Sequence, residues 1–131
     1  MRFMLLQHYA PAENCGVPMH EWCPEDIQAH IAFQQALNAE LLGSGELVDA
    51  QGLSDQAKTV TNTGTAPVIT DGPFPESKEL LAGYRLIDVE SLERALEIAA
   101  RASAAPGPDR VPIGDHIEVR LVMGAPLPEE V

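Results

Sequence analysis

Positive charge is scarce in this 131-residue sequence, which carries 8 lysine and arginine residues against 20 aspartates and glutamates, a formal net charge of −12. A surface this acidic repels phosphate backbones, so we do not expect the chain alone to bind nucleic acid. Aromatic residues are also rare, at 5% of the chain, which leaves little with which to build a platform for stacked bases.

Long apolar runs are absent as well. The first residues do not follow the pattern of a signal peptide, and no segment is long and apolar enough to cross a bilayer, so we expect a cytoplasmic protein. A chain of 131 residues suits one domain with a single core. The glycine patterns of phosphate loops, nucleophile elbows and dinucleotide-binding folds are missing too, and we expect no cofactor.

Cysteine is limited to Cys15 and Cys23, which flank His20. One interpretation is a metal clip, although the spacing fits none of the usual paired zinc motifs and no fourth ligand is evident. The other is a pair of free thiols in a reducing compartment, where a disulfide is not expected. We favour the second interpretation and predict no metal site.

The order of apolar and turn-forming segments predicts an α+β domain. Residues 2–9 are apolar on both faces, which is typical of a central strand, and a loop with proline and glycine follows as far as Trp22. A helix begins at Pro24 and runs to about Leu42, where glycines end it. Ser91 can cap a second helix. The remaining strands are predicted at residues 46–51, 58–62, 67–70, 80–89 and 117–123.

This order of elements predicts the ferredoxin-like arrangement, an antiparallel sheet with two helices on one face. The opposite face of the sheet must also be covered. Because residues 2–9 are apolar on both sides, we expect a second copy of the chain to cover it, which makes the protein a homodimer. Residues 126–131 are expected to form a frayed C-terminal tail.

The stretch between the fourth and fifth predicted strands is the most distinctive in the chain: Asp71-Gly72-Pro73-Phe74-Pro75-Glu76-Ser77-Lys78-Glu79. Asp-Gly-Pro is a strong turn signal, since the aspartate can bond nearby backbone, glycine permits positive φ and proline fixes the next φ. With its flanks at 45–53 and 81–84, the stretch resembles the DGPFAETKE signature of the YCII-related (DGPF) family of small bacterial proteins, with proline and serine replacing the alanine and threonine. The resemblance implies one YCII-related domain over residues 1–125.

The same resemblance implies a dimeric α+β barrel and a site that pairs a helix histidine with a loop aspartate. Asp71 matches the aspartate of the motif. For the histidine, an ungapped count places Gln34 at the family position, with His30 one turn earlier. If the pair exists, Asp71 orients the His30 imidazole, which then serves as a general acid and base. The alternative is that Asp71 only caps its own turn.

The first predicted helix adds a row of polar side chains, His30, Gln34 and Asn38, at i, i+4 and i+8. On a helical wheel this row falls inside the apolar arc formed by Ile27, Ile31, Phe33, Leu37, Leu41 and Leu42. Each buried polar group left unpaired would cost roughly 1–3 kcal/mol, so the row must meet protein partners, water or a ligand. The row predicts either a structural network or a small-molecule pocket.

Other residues complete the predicted substrate-binding set. Gly72, Pro73 and Phe74 form the wall opposite the helix, although Phe74 can equally fill core space. Lys78 and Arg85 can receive an anionic group of a substrate, or each can be paired with one of the many acids of the chain. With Gln34 and Asn38, these residues would surround the catalytic pair His30 and Asp71.

Three functions fit these residues. The first is a cofactor-free enzyme that transfers protons on a small polar metabolite. The second is a ligand-sensing or protein-interaction module, and here the resemblance implies a regulatory partner, because relatives are associated with alternative sigma factors. The third is a stable dimer whose polar row is purely structural. Neither the substrate nor a reaction follows from the sequence.

Overall fold

The structure, a computed structural model, describes residues 1–9, 19–72 and 80–126. Its helices and strands are β1 (Arg2–Tyr9), α1 (Pro24–Gly43), β2 (Leu47–Gly52), β3 (Lys58–Asn62), β4 (Pro67–Asp71), β5 (Leu80–Asp88), α2 (Leu92–Ser103) and β6 (His116–Leu121). Each element predicted from the sequence is present. Nearly all of the predicted C-terminal tail lies outside the described residues. Within these described ranges, no helix is long and apolar enough to span a membrane.

Four strands form one antiparallel sheet in the order β2-β5-β1-β6, so β1 is an inner strand as its two apolar faces predict. In the centre of the sheet, Leu5 of β1 pairs with Arg85 of β5 on one side and with Val119 of β6 on the other. With two helices and an antiparallel four-stranded sheet, the chain has the predicted ferredoxin-like α+β fold.

The hydrophobic core lies between the helices and one face of this sheet. The buried cluster contains Phe3, Leu5, Leu37, Leu41, Ile87, Val89, Ala95, Ile98, Ala99 and Ala102. Its members from the sheet side are Phe3 and Leu5 of β1, Ile87 of β5 and Val89 directly after β5. They occupy alternate positions, which places them on a single face of the sheet. Helix α2 begins as predicted, with the Ser91 side chain accepting a hydrogen bond from the Arg94 backbone N–H at 3.1 Å.

Helix α1 is buried along a narrower strip than the sequence predicts. Ile31 and Leu42, both assigned to the buried arc, are 46% and 64% exposed, so that part of the prediction was wrong. The buried residues of α1 are Asp26, His30, Leu37 and Leu41. Successive residues advance by about 100° around a helix, which sets Ile31 and Leu42 on a flank beyond this strip.

Strands β3 and β4 form a separate two-stranded sheet. Their pairing runs from Lys58 opposite Asp71 to Asn62 opposite Pro67. Apart from the half-buried Thr59, all residues of the two strands are exposed. An isolated hairpin is only marginally stable in water, so this segment adds little to the packing of the core.

Candidate functional site

A cleft of about 960 Å³ lies between α1 and the adjoining face of the four-stranded sheet. This volume is sufficient for a metabolite-sized ligand. The cleft includes the whole predicted polar row of α1, and Arg85 of β5 lines it too. The larger apolar side chains of its wall are Leu5, Met19, Trp22, Ile27, Leu53, Leu80, Ile113 and Ile117.

Hydrogen bonds join the polar row to Arg85 and to the segment after α2. Arg85 donates through Nε to Asn38 Oδ1 at 2.8 Å and through Nη2 to Gln34 Oε1. Gln34 Nε2 lies 3.4 Å from His30 Nε2, and His30 Nδ1 lies 3.0 Å from the Pro106 carbonyl oxygen. A carbonyl only accepts, so the neutral ring carries its proton on Nδ1 and leaves Nε2 as an acceptor. Each hydrogen bond in the chain from Arg85 through Gln34 and His30 to Pro106 is therefore donated in the same direction, towards Pro106.

Arg85 is the buried cation of this network. Its side chain is 7% exposed, and burial lowers the pKa of its guanidinium. Among the described residues no carboxylate forms an ion pair with it. Its cross-strand neighbours are Leu5 and Ala50. The guanidinium is thus held by two neutral amide oxygens.

Two carboxylates, Asp55 and Asp115, also line the cleft, and neither forms an ion pair with Arg85. Asp115 is 4% exposed and accepts a hydrogen bond from Gln7 Nε2 at 3.0 Å. Asp55 is exposed and lies near Tyr9, whose pKa is raised by burial and, less, by the charge of Asp55. Tyr9 ends β1, four residues beyond Leu5, which pairs with Arg85. Four residues span about 13 Å along a strand.

The segment that carries Pro106 is tied to the first turn of α1 by Asp26. The Asp26 carboxylate accepts the backbone N–H of Asp109 at 3.0 Å and Nε of Arg110 at 3.3 Å. The Asp109 N–H, then the Cys23 thiol and Arg110, lower the pKa of Asp26. Asp109 and Arg110 have φ values of 58° and 62°, in the left-handed region that side chains other than glycine disfavour. The bonds to Asp26 help to hold this unfavourable backbone.

The structure does not bring Asp71 to His30. Asp71 ends β4, its side chain is 87% exposed, and it accepts a hydrogen bond from Lys58 Nζ at 2.6 Å. Asp71 and Gly72 are not among the residues that line the cleft, and no hydrogen bond joins His30 to Asp71. A catalytic role for Asp71 stays a prediction.

The rest of the motif is only partly described. Gly72 has a φ of 95°, the positive value that its turn predicts. Pro73, Phe74 and Lys78, all predicted to bind substrate, lie outside the described residues.

The stretch that carries both cysteines is also described only in part, because Cys15 lies outside the described ranges. Cys23 and His20 are exposed. Within residues 1–9, 19–72 and 80–126, no group of three or more histidine, cysteine, aspartate or glutamate side chains could hold a metal ion.

Sequence reasoning missed Asp26, Pro106 and the Gln7–Asp115 pair as parts of the site. Asp26 has the position of an ordinary acid in the first turn of a helix, and Asp115 follows an irregular segment rich in proline and glycine. Their partners lie 83 and 108 residues away in sequence. No periodic or local pattern signals contacts of that kind.

Comparison with known proteins agrees with the motif. A family model of the YCII-related domain matches residues 1–113. An uncharacterised protein of Rhizobium meliloti (strain 1021) is 31% identical over 86 residues, which are 64% of this chain and 69% of that protein. The family match spans both helices, the hairpin and most of the residues that line the cleft. The chain therefore belongs to the YCII-related family.

Proposed function

We propose that the cleft between α1 and the sheet binds a small polar metabolite, and that His30 exchanges a proton with it without a cofactor. The observation that carries the proposal is the joining of three polar helix side chains to a buried arginine along the wall of a metabolite-sized cleft. Largely apolar clefts with a few convergent polar groups are the usual form of a ligand site.

His30 has the geometry of a general base. Its Nδ1–H is donated to the Pro106 carbonyl oxygen, which fixes the tautomer and directs the lone pair of Nε2 towards Gln34. The 3.4 Å separation from Gln34 Nε2 is long for a hydrogen bond, so a ligand can displace that contact at little cost. The Trp22 ring meets the imidazole edge to face, with centroids 5.7 Å apart, and restricts its rotation.

Proton transfer in this site would use His30 and Gln34 together. Nε2 takes a proton from a C–H or O–H group of the ligand, and the Gln34 amide, released from the imidazole, donates to the oxygen on which negative charge develops. The Pro106 carbonyl keeps the imidazolium oriented by accepting its other N–H. No metal or organic cofactor takes part in this scheme.

The test is hydrogen exchange into a bound ligand. A metabolite library is screened by thermal shift, and each stabilising compound is incubated with the protein in D₂O while its C–H signals are followed by proton NMR. We expect the wild type to exchange an acidic C–H proton of the true ligand, and His30→Gln to bind the compound but to exchange at least 100-fold more slowly. The matched control is His8→Gln, since His8 is not among the residues that line the cleft.

The same experiment separates the alternatives. Binding without exchange in the wild type would contradict the enzyme and leave a ligand-sensing module. A cleft-filling variant, Ala50→Phe, tests the place of binding, because Ala50 lines the cleft beside Arg85. Compounds that stabilise Ala50→Phe as much as the wild type do not bind in the cleft. Asp71→Asn is included to test the role predicted for Asp71: unchanged exchange removes it from the mechanism.

We further propose that the chain forms a homodimer through the outer face of its sheet. Met4, Leu6 and Leu86 alternate with the core residues of β1 and β5, and all three are half-buried although the helices pack on the other face. Met4 lies directly opposite Leu86. An apolar centre on the sheet face opposite the helices supports a second sheet packed against it.

A further inference from the structure

The charge on Arg85 is the least compensated feature of the cleft. The side chain is buried, yet among the described residues it makes no ion pair, and only the amide oxygens of Gln34 and Asn38 accept its hydrogen bonds. Buried charges are normally paired, because an unpaired charge away from water is unfavourable. The two amides orient the guanidinium but, being neutral, do not balance its positive charge.

Arg85 also keeps donors on the side that faces the cleft. Of its five N–H groups, Nε–H and one N–H of Nη2 are used by α1. Within the described part of the chain, no side-chain nitrogen or oxygen is both shielded from solvent and without a partner. Nη1 has no acceptor among these residues, so it must border the open space of the cleft.

We propose that the cleft recognises a small monocarboxylate, whose two oxygens bind to Nη1 and Nη2 of Arg85. The inference rests on the proposed function in taking the same cleft as the ligand site. The planar fork of a guanidinium matches the two oxygens of a carboxylate. The amides of Gln34 and Asn38 hold the fork in position before the ligand arrives, and the apolar remainder of the ligand lies along the cleft wall.

A single negative charge suits this site better than a phosphate. Among the described residues that line the cleft there is no lysine and no second arginine. One guanidinium balances one carboxylate, whereas a phosphate dianion would leave excess negative charge in surroundings that include Asp115. The net charge of −12 adds long-range repulsion that is greater for a dianion.

The experiment compares three probes of similar size, benzoate, benzamide and phenyl phosphate, on the full chain. Binding is followed by calorimetry and by ¹H–¹⁵N NMR of the arginine Nε–H groups. We expect benzoate to bind saturably and to shift the Nε–H signal of Arg85. Benzamide, which lacks the charge, and phenyl phosphate, which carries too much, are expected to bind at least tenfold more weakly.

Two substitutions and a matched control assign the site. Arg85→Gln is expected to lower benzoate affinity roughly 10- to 100-fold, the usual effect of losing hydrogen bonds to a charged group. Arg85→Lys keeps the charge, loses the fork and is expected to lower it about tenfold. Arg101→Gln removes an arginine that pairs with Glu40 away from the cleft, so it makes the same change in net charge and should bind benzoate as the wild type does.

Lost binding and lost folding are distinguished by urea unfolding. Because Arg85→Gln removes an uncompensated buried charge, its unfolding midpoint without ligand should equal or exceed that of the wild type. Should it not fold, Arg85→Lys decides the question.

The inference is overturned if benzoate does not bind saturably, if benzamide binds equally well, or if Arg85→Gln keeps full affinity. Tighter binding of phenyl phosphate would overturn the carboxylate as the ligand class. The proposed proton transfer fails separately: absence of exchange that depends on His30 leaves benzoate binding through Arg85 untouched.

Discussion

His30 Nδ1 and the Pro106 carbonyl oxygen lie 3.0 Å apart although 76 residues separate them in sequence. The ring that faces the cleft is therefore oriented by the segment after α2. A carboxylate in this position would attract the Nδ1 proton and stabilise an imidazolium by its charge. A backbone carbonyl fixes the same tautomer without adding charge. The cleft thus contains an imidazole that is oriented by a backbone carbonyl.

The first prediction concerns the tautomer of His30. At pH 8.5, where imidazoles are generally neutral, its proton should be on Nδ1, because the Pro106 oxygen can only accept. Long-range ¹H–¹⁵N correlation of the imidazole distinguishes the two tautomers by their nitrogen shifts. His8, whose Nε2 lies 3.4 Å from Glu118, is the internal comparison and should favour the proton on Nε2. An Nε2–H tautomer at His30 would contradict the donor direction inferred for the whole network.

The second prediction concerns Asp26, which holds the left-handed backbone at Asp109 and Arg110. Asp26→Asn keeps an acceptor oxygen but loses the charge, so Tm should fall by a few degrees and the Asp109 amide should exchange faster with D₂O. Since the pKa of Asp26 is lowered in the fold, its contribution is present at neutral pH and is lost as the pH falls through that lowered pKa. The difference from wild type should therefore shrink in acid.

The matched control for Asp26 is Glu25→Gln, one residue earlier in the same helical turn and exposed. It removes the same charge from the helix N-terminus without touching the segment of Asp109. Equal losses in the two variants would mean that the helix dipole, and not the bond to Asp109, accounts for the effect.

The features that the sequence predicts correctly are those that depend on neighbouring residues. Strand alternation, the proline that begins α1 and the Ser91 cap each act within a few residues, and the elements follow them closely. The polar row of α1 was predictable for the same reason, since its spacing is the helical repeat. Its partners were not. The Pro106 oxygen and the bonds from Asp26 arise only when distant segments pack together.

The position of Asp71 shows the limit of an argument by motif. The motif predicted either a pair between Asp71 and a helix histidine or a cap of its own turn, and in the structure Asp71 pairs with Lys58 across the hairpin. Hairpin register is set by the turn and by cross-strand pairs, which local residues determine. Where the hairpin as a whole lies relative to α1 depends on packing that these residues do not encode.

The third prediction concerns pH and the Glu46–Arg94 pair. Bidentate bonds at 2.8 Å from Arg94 and a bond from Ser44 lower the pKa of Glu46 from 4.5 to about 2. The unfolded chain takes up this proton first, so the pair stabilises the fold above pH 4.5 and the contribution is lost as the pH falls towards 2. Glu46→Gln should cost about 1 kcal/mol at pH 7, because the pair is partly exposed, and little at pH 2.5.

Urea unfolding at the two pH values measures this difference. Glu93→Gln is the control, because Glu93 is an exposed acid on helix α2, next to Arg94. It should change stability little at either pH. A loss at Glu46→Gln that persists undiminished at pH 2.5 would show that the side chain acts through packing rather than through its charge.

The fourth prediction concerns two glycines that face each other across β2 and β5. A Cβ at Gly83 would lie 2.5 Å from the Gln51 carbonyl oxygen, whereas a Cβ at Gly52 would meet nothing within 4 Å. Gly83→Ala should therefore destabilise the protein by about 1–3 kcal/mol, because backbone has to move. Gly52→Ala should be neutral or stabilise it by up to about 1 kcal/mol. Equal urea midpoints for the two variants would contradict this.

The fifth prediction tests the homodimer. If the outer face of the sheet is the interface, the wild type sediments as a dimer at micromolar concentration and Leu86→Lys as a folded monomer, because packing against the apolar face of a second copy would remove water from the lysine charge. Lysine suits this site within one chain, since Asp49 lies opposite Leu86 on β2. The fold should therefore survive, and circular dichroism checks that it does.

Leu42→Lys is the control for that experiment. Leu42 is 64% exposed on α1, so the substitution makes the same chemical change on a helix, away from the outer face of the sheet. It should leave the dimer intact. A monomeric wild type, or a dimer that Leu42→Lys dissociates and Leu86→Lys does not, would move the interface away from the sheet. The half-buried Met4 and Leu6 would then need another explanation for their position on the face opposite the helices.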